Sequence, residues 1–130
     1  LEQAMELKDN KKNVLVVDDD STMLRTLRLW LSDKYTIYMA NSGERALKML
    51  ETYDVDLVLL DYEMPEQDGP EVLRQIRNNP DTKEMPVMFL TARNDKESED
   101  AVRDLHPVNY LTKTMPPDEL LKSIDAFFVA

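Results

Sequence analysis

The stretch DLVLLDYEMP, residues 56–65, sets the fold and poses the functional question at once. Leu57 to Leu60 are four consecutive apolar residues, the pattern of a short strand buried on both faces rather than one with a solvated side. The run stops at a carboxylate, Asp61, and two residues later meets another, Glu63. An acid at the end of a buried strand needs a chemical reason.

Working outward, similar runs recur at VLVV (14–17), YTIYMA (35–40), VMFL (87–90) and NYLT (109–112), the last being the weakest. Between them the apolar residues fall at helical spacing. The first such segment begins near Ser21 and carries Met23, Leu24, Leu27 and Leu31; the second has Ala46, Leu47 and Leu50; the third has Val72, Leu73 and Ile76. A fourth, KESEDAVRDL, is mostly charged, and the fifth carries Leu120, Leu121, Ile124, Phe127 and Phe128. Strand and helix thus alternate five times, which predicts an α/β fold with a parallel sheet, helices on both faces and right-handed crossovers. Boundary signals agree. Ser42 is placed to cap the second helix beside Gly43, Pro70 follows Gly69 in the first turn of the third, and Pro116 and Pro117 open the fifth ahead of Asp118 and Glu119.

Residues 1–12 lie outside this pattern and are expected to form an N-terminal extension or linker, with residues 13–130 as one domain. The spacing of Leu1, Ala4 and Met5 suggests a short amphipathic helix there. A chain of 130 residues suffices for a single core that buries about two-thirds of the unfolded surface. The absence of cysteine excludes a disulfide scaffold and fits a reducing compartment. The N-terminus LEQAMELKDNKK is charged throughout and no apolar run exceeds five residues. Neither a signal peptide nor a membrane span is therefore expected, and the location predicted is cytoplasmic. With 26 acids against 16 bases the net charge is -10, and the only basic pair is Lys11 and Lys12. Direct nucleic acid binding is not expected of such a chain.

Asp61 is not the only polar residue at a strand end. The first strand runs into Asp18, Asp19 and Asp20, the fourth ends in Thr91, and the fifth is followed by Lys113. In an open parallel sheet the carboxyl ends share one edge, and ligands bind there where the strand order reverses. If the first and third strands are neighbours, in the order 2-1-3-4-5, Asp18, Asp19 and Asp61 meet. Two carboxylates about 4 Å apart repel by roughly 4 kcal/mol at an effective dielectric of about 20, so a cation must compensate. Hard oxygen ligands suit magnesium, while Lys113 adds a second positive charge and Thr91 a hydroxyl donor. A metal, a lysine and a hydroxyl around a carboxylate resemble the apparatus that stabilises a transferred phosphoryl group, the carboxylate being the nucleophile. Each feature alone is ordinary: an Asp run is often a solvated loop with a helix cap, and a Lys or Thr at a strand end is common. Their placement on one edge is what points to a site.

The segments VLVVDDDSTM, LVLLDYEMPEQDG, PVMFLTA and NYLTK together resemble the receiver domain of two-component response regulators, over residues 13–128. The resemblance implies a flavodoxin-like (βα)5 three-layer sandwich around a five-stranded parallel sheet. It implies that Asp61 is the phosphoacceptor for a sensor histidine kinase or a histidine phosphotransfer protein. Asp19 and Asp61 would hold magnesium directly, or manganese in its place, Asp18 through water, and the backbone carbonyl of Glu63 would complete the protein ligands. Thr91 and Lys113 match the residues that bind phosphoryl oxygens, and Ala92 the small neighbour that leaves room for them. Tyr110 matches the aromatic switch, turning into space vacated by Thr91 and changing the surface of the fourth helix, fifth strand and fifth helix, where an output partner or a second copy would dock. Glu63 and Arg93 stand where the family flanks the path of the attacking water. Such a domain catalyses only its own phosphorylation and dephosphorylation and is not a turnover enzyme.

Two departures stand out. Thr114 follows Lys113 where the family has a proline in a cis bond, and a trans bond is expected because cis costs roughly 2.5–4 kcal/mol before a residue other than proline. His106, the only histidine, holds a position where glycine is usual, and reads as a tolerated loop residue rather than a catalytic base. The rival enzyme reading is a phosphohydrolase of the haloacid dehalogenase class, with Asp18 as nucleophile and Asp20 as acid or base in DDDST; it lacks a later acidic motif and a cap domain. A phosphorylation-independent interaction module is a second rival. A flavodoxin is weaker still, because the acidic loop would repel a flavin phosphate.

Overall fold

The apolar runs become the five strands of one sheet: β1 Asn13–Val17, β2 Thr36–Ala40, β3 Leu57–Leu60, β4 Val87–Thr91 and β5 Asn109–Thr112. The computed structural model describes residues 11–129, so the short helix expected around Leu1, Ala4 and Met5 lies outside the described residues. The helices are α1 Ser21–Leu31, α2 Gly43–Thr52, α3 Gly69–Asn78, α4 Lys96–Ala101 and α5 Pro117–Val129, with a 3-10 turn at Arg103–Leu105. The strand order is β2-β1-β3-β4-β5 and each neighbouring pair is parallel, as expected.

Alternation within each buried strand divides the core into two layers. Val14, Val16, Leu57, Leu59, Met88 and Leu90 pack against Leu24, Leu27 and Leu31 of α1 and Leu120 and Ile124 of α5. Leu15, Val17, Val58, Leu60, Val87 and Phe89 face the other way, against Ala46 of α2 and Val72, Leu73 and Ile76 of α3. The central strand β3 is buried at every residue because both layers cover it.

Local chemistry starts the helices where the chain needs them. Asp20, Ser42, Asp68 and Asp95 each accept a backbone N–H of the turn they precede, capping α1, α2, α3 and α4. The fourth helix departs from expectation. The segment KESEDAVRDL is not one helix but breaks at Val102 into α4 and the 3-10 turn. Ser98 is the buried residue of α4, and Val102 is fully buried just past its end, so little burial sustains a longer helix.

His106 adopts φ 54° and ψ 53°, the left-handed conformation that glycine takes up most readily, which suits the glycine that the resemblance implies at this position. The strain is of the order of 1 kcal/mol. Arg77 holds the loop in place, donating to the carbonyls of Leu105 at 2.8 Å, His106 at 3.3 Å and Met85 at 2.7 Å. The described residues contain no cis peptide bond, so the Lys113–Thr114 bond is trans. No described helix is long and apolar enough to cross a membrane.

Candidate functional site

The register of the central strands sets the site. Val17 at the end of β1 pairs with Leu60 at the end of β3, so the next residues, Asp18 and Asp61, leave adjacent strands side by side. The Asp61 N–H donates to the Val17 carbonyl at 3.0 Å and the Asp18 N–H to the Ala40 carbonyl at 3.1 Å, which extends the sheet one residue on each side. Asp18, Asp19 and Asp61 bring carboxylate oxygens within 4.8 Å of one another. Asp18 is only 2 % exposed and Asp61 6 %, so both depend on nearby partners for their charge.

Lys113 is the nearest positive group. Its N–H donates to the Thr91 carbonyl at 2.9 Å, carrying the β4–β5 pairing past the end of β5 and turning the side chain over the edge. Its Nζ lies 2.7 Å from Asp18 Oδ2 and 3.0 Å from Asp61 Oδ2. Burial pulls the Lys113 pKa down, but hydrogen bonds to Asp18 and Asp61 outweigh it and the net shift is upward. Burial pushes the Asp18 carboxyl up, against hydrogen bonds from Lys113 and the Asp20 N–H. The remaining oxygens are also held: Asp18 Oδ1 accepts from Asp20 N at 2.9 Å and Asp61 Oδ1 from Tyr62 N at 2.7 Å.

The other expected residues lie around this centre. Thr91 is buried at the end of β4, and its hydroxyl accepts the Arg93 N–H at 3.2 Å. Ala92 is exposed beside it. Tyr110 packs its ring against Phe89 and Tyr62, with centroids 5.5 and 6.4 Å away, and its buried hydroxyl has no hydrogen-bond partner. Glu63 and Arg93 are joined at 2.5 Å. Asp20 turns to the first turn of α1, accepting from Thr22 N at 2.9 Å and Met23 N at 3.4 Å. Its Oδ1 thus serves as the cap of α1.

Three contributors carry little signal in the sequence. Tyr62 sits between two carboxylates whose chemistry is the more conspicuous. Gly69 reads only as a helix start, although a Cβ there would stand 2.3 Å from the Asp61 carbonyl oxygen and 2.9 Å from the Phe89 ring. Asp95, which Arg93 also grips at 3.3 Å, lies in a charged segment without periodicity.

The sequence profile of the response regulator receiver domain matches residues 14–125. The chain belongs to this family. Receiver domains of this kind are the phosphoacceptor signalling modules of two-component systems. A Vibrio cholerae protein named as a probable cyclic di-GMP phosphodiesterase is 42 % identical over 100 residues, covering 77 % of this chain and 23 % of that protein. The response regulator MprA of Mycobacterium ulcerans is 39 % identical over 114 residues, covering 87 % of this chain and 48 % of that protein. The receiver thus spans less than half the length of these relatives. Among solved structures, the chemotaxis protein CheY4 of Vibrio cholerae superposes with a TM-score of 0.84 at 26 % identity, over 89 % of this chain and 98 % of that one. The signal receiver domain of an HD domain-containing protein from Pseudomonas fluorescens Pf-5 gives 0.81 at 28 % identity, over 90 % and 94 %.

Proposed function

We propose that this receiver, residues 13–130 with residues 1–12 as an N-terminal extension or linker, accepts a phosphoryl group on Asp61 from a phosphohistidine in a magnesium-dependent reaction. The donor is a sensor histidine kinase or a histidine phosphotransfer protein, and the setting is cytoplasmic. One observation carries the reading: Asp18, Asp19 and Asp61 converge within 4.8 Å while the Lys113 ammonium stands 3.0 Å from Asp61. The donor set, hard oxygens open on one side, fits magnesium or manganese. Asp18, Asp19, Asp61 and the Glu63 carbonyl would hold the ion. When bound, it neutralises charge on the phosphoryl oxygens.

The chain's own residues do the rest. An Asp61 carboxylate oxygen attacks phosphorus, the P–N bond to the donor imidazole breaks, and the leaving imidazole takes up a proton. Asp61 is oriented by the Tyr62 N–H and Lys113. Lys113, and the Thr91 hydroxyl once it has turned toward Asp61, then face the phosphoryl oxygens as donors. The Thr91 movement passes to Tyr110, which lines a cleft of about 460 Å³ with Glu99, Arg103, His106 and Val108. This surface of α4, β5 and α5 receives an output partner or a second copy. Treatment with acetyl phosphate or phosphoramidate and magnesium should add one phosphoryl group by intact mass. Equal labelling of an Asp61→Asn protein would sink the assignment.

A further inference from the structure

Arg93 joins three parts of the receiver: the end of β4, the loop after β3 and the start of α4. Its backbone N–H donates to Thr91 Oγ1 at 3.2 Å. Its guanidinium donates through Nη1 to Glu63 Oε1 at 2.5 Å and through Nε to Asp95 Oδ1 at 3.3 Å. The guanidinium carbon also lies 5.4 Å from the centre of the Tyr62 ring. Tyr62 in turn donates its N–H to Asp61. Asp95 is the N-cap of α4, accepting from Ser98 N at 2.9 Å and from the Ser98 hydroxyl. One side chain therefore grips both the loop that carries Asp61 and the cap that starts α4. That cap matters because α4 has only six residues, too few to sustain a helix by its own hydrogen bonds.

We propose that Arg93 is a positioning residue that ties the state of Asp61 to the first turn of α4, so that engagement of a phosphoryl group releases Asp95 from the guanidinium. The inference rests on Asp61 being the acceptor. To donate to a phosphoryl oxygen, the Thr91 hydroxyl turns toward Asp61, and it either leaves the Arg93 N–H or draws residue 93 with it. The planar fork of Arg93 spans Glu63 and Asp95 on two different loops, so a shift of its backbone strains the two bonds together. The longer one, to Asp95, is the one that yields. Coupling between sites is reciprocal, so breaking the tie must also change how tightly the acceptor site holds a phosphoryl analogue.

The test uses beryllofluoride with magnesium on the full chain and on Arg93→Ala, Asp95→Asn and the double variant. Asparagine caps helices as well as aspartate, so Asp95→Asn removes the charge and leaves the cap. Each single variant should bind beryllofluoride about two- to fivefold more tightly, the range of an exposed ion pair, and the double variant no more tightly than either. The Ser98 amide resonance should move on binding in the parent protein. In both single variants it should already lie near its bound position. Additive affinity changes, or a Ser98 resonance that responds equally with and without Arg93, would overturn the tie while leaving the acceptor reading intact. A parent protein that binds no beryllofluoride would overturn both.

Discussion

The ammonium of Lys113 stands 3.0 Å from Asp61 and, at the same time, 2.7 Å from Asp18. A divalent cation brought among the carboxylates competes with it for the same oxygens. Lys113→Met keeps most of the aliphatic stem and removes the charge. Because Lys113 is itself 22 % exposed, the cost should be about 2 kcal/mol in chelator, less than for a fully buried pair. Magnesium should bind more tightly than in the parent, and phosphorylation should slow. Urea unfolding in chelator reads the stability, calorimetric titration the magnesium affinity, and intact mass against time the phosphorylation. An unchanged magnesium affinity would mean that Lys113 does not share the metal's carboxylates.

The three aspartates after β1 should separate cleanly. Asp19 is exposed and contributes to the convergent oxygens, whereas Asp20 caps α1. Asp19→Asn should weaken magnesium binding with little loss of stability. Asp20→Asn should leave both nearly unchanged, and Asp20→Ala should lose about 1 kcal/mol of stability through the missing cap. Equal losses of magnesium affinity for Asp19→Asn and Asp20→Asn would reverse the assignment.

The sheet and its polar edge are legible in the sequence because burial on both faces writes itself as unbroken apolar runs, and parallel register then brings Asp18 and Asp61 to one level. What escapes has no local pattern. Arg77 serves carbonyls far along the chain from it, at Leu105 and His106, and nothing around Arg77 announces that task. Tyr35 hydrogen-bonds Asp125 across the α1–β2 turn and α5, two elements joined only by the fold. Gly69 can be read as a helix start, but its contact with the Asp61 carbonyl arises from how tightly α3 returns to β3. The break at Val102 reflects scarce burial under α4, which a charged sequence hints at without locating.

Glu63 and Arg93, expected to cover the approach to Asp61, do meet through their side chains. They are 63 % and 43 % exposed, so removing them should change stability little. The effect should be kinetic. Glu63→Ala with Arg93→Ala should shorten the lifetime of the phosphorylated protein, measured as loss of the acyl phosphate after the donor is removed. An unchanged or longer lifetime would refute a gate.

Gly69 and Gly43 offer a matched pair. Alanine at 69 would drive its Cβ against the Asp61 carbonyl oxygen, a backbone atom, whereas at 43 the nearest atoms are side-chain atoms of Val72 and Gln67. Gly69→Ala should cost about 2–3 kcal/mol and also slow phosphorylation, because the group displaced belongs to Asp61, the proposed acceptor. Gly43→Ala should cost stability alone. Initial phosphorylation rates on the folded variants distinguish them, and equal rates would show that the acceptor loop tolerates the displacement.

Tyr110 supplies a pH signature. Its buried hydroxyl has no partner, and burial, followed by the neighbouring Tyr62 and Asp95, pushes its pKa up to about 12. An unfolded tyrosine ionises near pH 10. The folded state therefore holds this proton more tightly, and that contribution is complete below about pH 10 and lost as the pH climbs toward 12. Tyr110→Phe removes both the orphan hydroxyl and the titration. Near pH 8 the phenylalanine protein should be more stable by about 1 kcal/mol, the cost of leaving a buried polar group unsatisfied. By about pH 11 the gap should widen by roughly another 1 kcal/mol, since only the parent must hold a proton that its unfolded chain has released. Urea titrations of both proteins at the two pH values measure the gap. A gap that stays constant would mean that the hydroxyl reaches water, and that Tyr110 is not confined against Phe89 and Tyr62 in solution.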